Sequence, residues 1–231
     1  MFFPEFSKFT SKVAFYAIPN NGAFCIYNHL GSANVIKENE REIRLNMKSN
    51  LYCDSLPYFC LTPQDFEKYV PSISISDYFS FCVVRDPWDR ALSMYRSSLS
   101  DPLNTLNLKG KSFLDFCQLI KEKSEEKDFV FSFKQKDWVR YLNKPALLLR
   151  FEDLRCEFQK MVEENNIVNV SPNLPYSGKK KRSHYSNYFN SESKKIISHI
   201  FEEDIDAFKY SFIKKDPGSL KPTGSGGFLR I

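Results

Sequence analysis

The stretch FCVVRDPWDRALSMY, residues 81–95, carries a complete strand-to-helix joint. Its first four residues are apolar and suit a strand buried on both faces. Asp86 then stands where a helix N-cap belongs, and Pro87 at the first helical position. Trp88, Ala91, Leu92, Tyr95 and Leu99 follow at helical spacing and form one apolar stripe. A joint of this kind needs neither Arg85, at the strand's end, nor Ser93, beside the stripe. Ser93 lies about 9 Å along the helix axis from Pro87, so Arg85 and Ser93 can face one crevice. A guanidinium fork and a hydroxyl together suit a phosphate monoester. The competing reading pairs Arg85 with Asp86, Asp89 or another carboxylate and leaves Ser93 as a small helix residue. Spacing alone favours neither. Arg90 reads as a structural ion pair or as support for its neighbour.

Outward from this joint the same alternation recurs. KVAFYAIP (residues 12–19) reads as a buried strand, and NNGAFCIYNHLGS after it as a turn and a helix ending near Gly31. EIRLNM (residues 42–47) suggests a strand, and TPQDFEKYV (residues 62–70) a helix with a Thr N-cap and Pro at its first position. SFLDFCQLIKEKSEE and DWVRYL read as helices, PALLLRFEDL as a strand running into a helix around 158–162, and SESKKIISHIFEEDIDAFKY as a last helical stretch. Strands alternating with helices predict an α/β protein with a mostly parallel central sheet flanked by helices, in three layers. In such sheets ligands bind beyond the carboxyl ends of the strands. IPNNG and VVRDP are both ends of that kind.

With 231 residues, the chain suits a single α/β domain over residues 1–215, and the Gly/Pro/Ser-rich residues 216–231 suit a flexible tail. The net charge of +5 favours an anionic ligand without approaching the balance of a polyanion-coating protein. Its densest basic run, GKKKR at 178–182, reads either as a solvated loop or as a phosphate contact. Cys25, Cys53, Cys60, Cys82, Cys117 and Cys156 form no CxxC pair and have no His at zinc spacing, which predicts reduced thiols and no metal. No apolar run reaches membrane-spanning length, so a soluble, cytoplasmic protein is expected. A P-loop kinase or NTPase is disfavoured because GxxxxGK[ST] is missing at the first joint. The mixed basic and aromatic GKKKRSHYSNYF would suit single-stranded nucleic acid, but the modest net charge ranks that reading low, and no nucleic-acid partner is expected.

RDPWDRALSMY resembles the 3′-phosphate-binding segment of Golgi-type and bacterial carbohydrate sulfotransferases, Arg-(Asp/Asn)-Pro-x-x-Arg-x-x-Ser-x-Tyr. Arg85, Asp86, Pro87, Arg90, Ser93 and Tyr95 match its fixed positions. LLLRFEDL, LPYSGKKKRSHYSNYF and FEEDIDAFKYSF are similar to three further motifs of that family, in the same order, so the resemblance spans residues 12–212. Within these, Glu152 and Asp153 also suit a helix cap, and Ile205, Phe208 and Tyr210 suit core positions. His184 and Tyr185 suit nucleotide contact or surface packing equally. The resemblance implies a P-loop NTPase-like fold, 3′-phosphoadenosine 5′-phosphosulfate (PAPS) as co-substrate, no metal, and Arg85 and Ser93 on the 3′-phosphate.

At the first joint the family reads Ile-Pro-Lys-(Thr/Ser)-(Gly/Ala)-(Gly/Ala/Ser)-Thr-Ser, where this chain has Ile18, Pro19, Asn20, Asn21, Gly22, Ala23, Phe24 and Cys25. By resemblance Asn20 to Cys25 would cradle the 5′-phosphosulfate with backbone N–H groups at a helix N-terminus. Asn20 replaces the lysine, removing a charge that would offset the departing phosphate oxygen, a contribution of ~3–4 kcal/mol for one preorganised donor. The general base is also unassigned. Cys60 stands near the family's histidine position, and His29, Asp65 and Glu67 are substitutes, each with an equally good surface reading. The expectation is a PAPS-dependent sulfotransferase acting on a hydroxyl or amine of a carbohydrate acceptor. The alternative is a catalytically impaired protein of the same fold that binds PAPS or adenosine 3′,5′-bisphosphate.

Overall fold

The computed structural model describes residues 12–46, 60–74, 78–100, 106–125, 130–140, 147–175, 183–214 and 229–230. In chain order these form β1 (Val13–Tyr16), α1 (Ala23–Leu30), α2 (Val35–Glu38), α3 (Glu40–Asn46), α4 (Pro63–Tyr69), β2 (Phe79–Val84) and α5 (Pro87–Leu99). There follow α6 (Phe113–Lys123), α7 (Gln135–Arg140), β3 (Leu147–Arg150), α8 (Leu154–Glu164), α9 (Ser191–Ile200), α10 (Glu202–Phe208) and β4 (Leu229–Arg230). The chain divides into two compact units. One comprises Met1–Val84, Asp137–Gly178 and Ser225–Ile231; the other comprises Arg85–Lys136 and Lys179–Gly224.

The first unit holds the sheet, in the order β1-β2-β3-β4. β1, β2 and β3 run parallel, with Phe15 opposite Phe81 and Phe81 opposite Leu147; the two-residue β4 joins β3 antiparallel. Every residue of β1 and β2 is buried, as expected of parallel strands covered on both faces. Successive side chains alternate between faces. Phe15 and Phe81 therefore share one, their rings stacked at 4.9 Å, and Phe158 of α8 meets Phe81 edge-on at 6.2 Å. Cys82 points the other way, fully buried, its thiol pushed upward in pKa by desolvation. It behaves there as a small apolar residue. The α/β class with a parallel sheet and flanking helices is the one the alternating pattern predicts.

The second unit has a helical, aromatic core. Trp88, Leu92, Phe116, Ile197 and Phe201 are buried together, with Tyr95, Phe189 and Phe212 packed against them. Phe189 meets Phe113 edge-on at 4.8 Å and Trp88 meets Phe212 at 5.4 Å, the geometry that aromatic quadrupoles favour. Serine and asparagine set the helix starts. Ser112 and Asp115 form a reciprocal capping box on α6, and Asn190 and Ser193 form another on α9.

Two elements differ from expectation. Of EIRLNM, residues 42–46 belong to the helix α3 and are not a strand, and Met47 lies outside the described residues. Glu40 and Glu42 occupy that helix's first turn, where the macrodipole favours acids, and Ile43 bonds back to the Asn39 carbonyl. On α5, Leu99 is 45% exposed and Met94 and Ser98 are buried instead. The buried stripe drifts by one residue over three turns, as a 3.6-residue period requires. The basic run at 178–182 lies outside the described residues.

Candidate functional site

In the first unit, the turn after β1 is built by two asparagines and a glycine. Asn20 has φ 67°, the left-handed region that asparagine enters more readily than other non-glycine residues. Asn21 is buried, and its Nδ2 donates to the Val83 carbonyl at 2.7 Å, fastening the turn to the end of β2. Gly22, at φ 79°, is the N-cap of α1. A Cβ there would stand 3.1 Å from the Phe151 ring and 3.4 Å from Leu154. The close approach that needs glycine is therefore made by Phe151, from the RFEDL segment, which gives that segment a packing role at the turn. Gly22 accepts from Cys25 and Ile26 N–H, and α1 has neither an acid in its first turn nor a side-chain cap. An unneutralised helix N-terminus of this sort favours an anion. Ala23 is buried, Cys25 half-buried, and Phe24 70% exposed.

The proposed bases fare unequally. His29 Nε2 lies 2.8 Å from the Ser171 carbonyl, so that nitrogen carries the proton, and its ring meets Phe158 edge-on. That is a structural placement. Cys60 is buried and Glu67 exposed; Asp65's side chain lies outside the described residues. A carboxylate absent from the sequence reading also emerges. Glu157 is buried and accepts from Arg150 N–H, and desolvation raises its pKa.

In the second unit, Asp86 caps α5 as its sequence position predicts, accepting from Trp88 N at 2.9 Å and Asp89 N at 3.2 Å. Tyr185 is hydrogen-bonded to Asp86, and its hydroxyl accepts from Ile213 N–H at 2.9 Å. Burial foremost, then the Asp86 charge, raises the Tyr185 pKa. His184 caps the short turn after it, Nδ1 accepting from Ser186 N at 3.3 Å. Arg85 is 6% exposed, and its Nε and Nη2 donate to Asp89 Oδ2 at 3.0 and 2.8 Å. The carboxylate pairing that spacing left open is thus made, with Asp89 as partner. Ser93 lies half-buried in the second turn of α5, its carbonyl accepting from Ser97.

Beneath Arg85 runs a buried polar network that sequence did not reveal. Gln135 Oε1 accepts from Arg85 N at 2.9 Å, and its Nε2 donates to the Arg85 carbonyl at 2.8 Å. Asp204 in turn accepts from Gln135 N at 2.9 Å and Lys136 N at 3.0 Å. Desolvation raises the Asp204 pKa, opposed first by the nearby Arg90 charge. Arg90 is 1% exposed, donates to the Phe133 carbonyl at 2.9 Å and lies over the Phe201 ring. It is structural. Asp204 stood within FEEDIDAFKYSF, the closing motif, as its one acid in a buried position. Gln135 stood in a polar stretch with no signal.

A parallel α/β sheet is the class in which ligands bind beyond the carboxyl ends of the strands. The chain matches the model of the sulfotransferase family over residues 20–211 and belongs to that family. Searches among curated proteins and solved structures gave no match. Among the described residues there is no grouping of His, Cys, Asp and Glu suited to a metal ion, and no helix long and apolar enough to cross a membrane.

Proposed function

We propose that this sulfotransferase-family chain binds PAPS and transfers its sulfuryl group to a hydroxyl or amine of a carbohydrate acceptor. The S–O bond to the 5′-phosphate breaks and the acceptor O–S or N–S bond forms. The acceptor's proton passes to a base, and adenosine 3′,5′-bisphosphate leaves. The turn from Asn20 to Cys25 (Asn20, Asn21, Gly22, Ala23, Phe24 and Cys25) takes the 5′-phosphosulfate through backbone N–H groups. Arg85 and Ser93 take the 3′-phosphate. The observation that carries the reading is Arg85: buried, fixed at both its backbone and its guanidinium, and within the matched family segment. Phosphate can share the guanidinium with Asp89 because the fork presents five donors. The buried free thiols Cys82 and Cys117 support a reducing, cytoplasmic setting.

A second reading, binding with impaired turnover, is favoured by Asn20. It has no charge to offset the leaving oxygen, and its left-handed backbone suits asparagine better than the lysine of the family pattern. Calorimetric titration with adenosine 3′,5′-bisphosphate, against AMP and ATP, tests the donor site. Binding that depends on the 3′-phosphate supports both readings, and an acceptor screen with PAPS then separates them. No binding by the folded protein overturns both.

A further inference from the structure

We propose that Gln135 is a positioning residue for Arg85, and that Asp204 holds Gln135 in that role. The inference rests on the reading of Arg85 as the 3′-phosphate ligand. Arg85 leaves β2 with a backbone N–H and C=O that need partners, since both are buried with the residue. One planar amide supplies both, through Gln135 Oε1 at 2.9 Å and Nε2 at 2.8 Å. It acts as the peptide of a neighbouring strand would. Only an amide of this length offers a donor and an acceptor on one rigid group; Glu lacks the donor, and Met lacks both.

Gln135 is itself held. It is 0% exposed, and both its own N–H and that of Lys136 are accepted by the two oxygens of Asp204, also 0% exposed. Arg90 steadies the same segment through Phe133, two residues before Gln135. The chain of contacts runs Asp204, Gln135, Arg85 backbone, and all of it lies within the second unit. With the peptides on either side of Arg85 fixed, its Cα–Cβ direction is fixed, and Asp89 fixes the far end of the side chain. Without Gln135 the peptide planes can turn, and a small rotation at Cα becomes a large displacement at the guanidinium. Misplacement of about 1 Å in such a group costs up to ~100-fold.

The test uses the full chain and Gln135→Met, which keeps the volume and removes both hydrogen bonds. In the unliganded protein, nitrogen NMR of the Arg85 Nε–H reports its order, and amide exchange reports the Arg85 N–H. The expected result is a cooperatively melting variant with a disordered Arg85 Nε–H and fast Arg85 amide exchange. Bisphosphate affinity falls ~10–100-fold while AMP affinity is unchanged. An Arg85 side chain as ordered as in the parent overturns the proposal, as does an equal loss for bisphosphate and AMP. A parent protein that ignores the 3′-phosphate overturns the donor-site reading instead, and the NMR comparison still decides whether Gln135 sets the arginine. Should Gln135→Met fail to fold, Asp204→Asn, which keeps an acceptor for the cap, is measured in its place against the same criteria.

Discussion

Lys209 follows α10 in the left-handed conformation, at φ 56°, the helix-end position that glycine most often fills. A side chain there meets the Cβ clash that glycine avoids. Lys209→Gly is therefore expected to stabilise the protein by about 0.5–1 kcal/mol, read as a raised melting temperature. Gly22 presents the opposite case. Gly22→Ala adds a Cβ both at φ 79° and 3.1 Å from Phe151, and should cost about 1–3 kcal/mol in a denaturant melt. Asn20→Lys restores the family's charge at the turn but places lysine at φ 67°. It is expected to raise turnover of PAPS while lowering stability by about 1 kcal/mol; unchanged turnover would show that the charge is not what the turn lacks. Arg85, Asp86 and Ser93 were legible as residues because a strand end, a cap and a helix fix their spacing locally. Gln135 and Asp204 were not. Their partners lie 50 and 69 residues away along the chain, and no periodicity registers such contacts.

Among the elements, α7 starts on one distant side chain, Asp204. Asp204→Ala removes the acceptor for its first two N–H groups and the buried carboxylate on which the Arg90 charge acts. The expected loss is about 2–6 kcal/mol, for two helix-start N–H groups left without their acceptor, measured by chemical denaturation. α8 carries a different liability in Glu157, whose pKa is raised by burial despite the Arg150 N–H that favours its charge. Folding then binds a proton more tightly than the unfolded chain does. Stability must fall as pH rises from the ordinary carboxyl value through the raised one. Glu157→Gln should flatten that part of the pH–stability curve. The helices α1, α4, α5 and α6 could be read from caps and apolar spacing. α3 was misread because a six-residue window with two apolar alternations fits either period, and only its acidic first turn decides between them.

At the scale of the molecule, the second unit draws its core from two separated segments, Trp88 and Phe116 from one, Tyr185, Ile197 and Phe201 from the other. A fragment covering residues 85–136 alone should therefore show neither cooperative melting nor dispersed proton NMR signals. A folded fragment would contradict the shared core. The sheet class was visible in the sequence because buried parallel strands are continuous apolar runs. The division into interleaved units was not: the crossing after Val84 falls at the end of β2 and the one after Lys136 falls inside α7, with no linker composition at either. Arg85→Ala, by contrast, removes a side chain that is ion-paired with the part-exposed Asp89. It should leave a folded, cooperatively melting protein while abolishing 3′-phosphate discrimination in calorimetry.

Asn21 and Gly22 together form the dipeptide most prone to spontaneous deamidation, in which the glycine nitrogen attacks the asparagine carbonyl and ammonia is lost. In this protein the Asn21 amide is buried and engaged with Val83, so the fold shelters it from ageing. Any aspartate formed would turn a carboxylate against a carbonyl oxygen. The turn thus acts as a chemical clock that runs only when the protein opens, and mass spectrometry of stored samples would read the time spent unfolded.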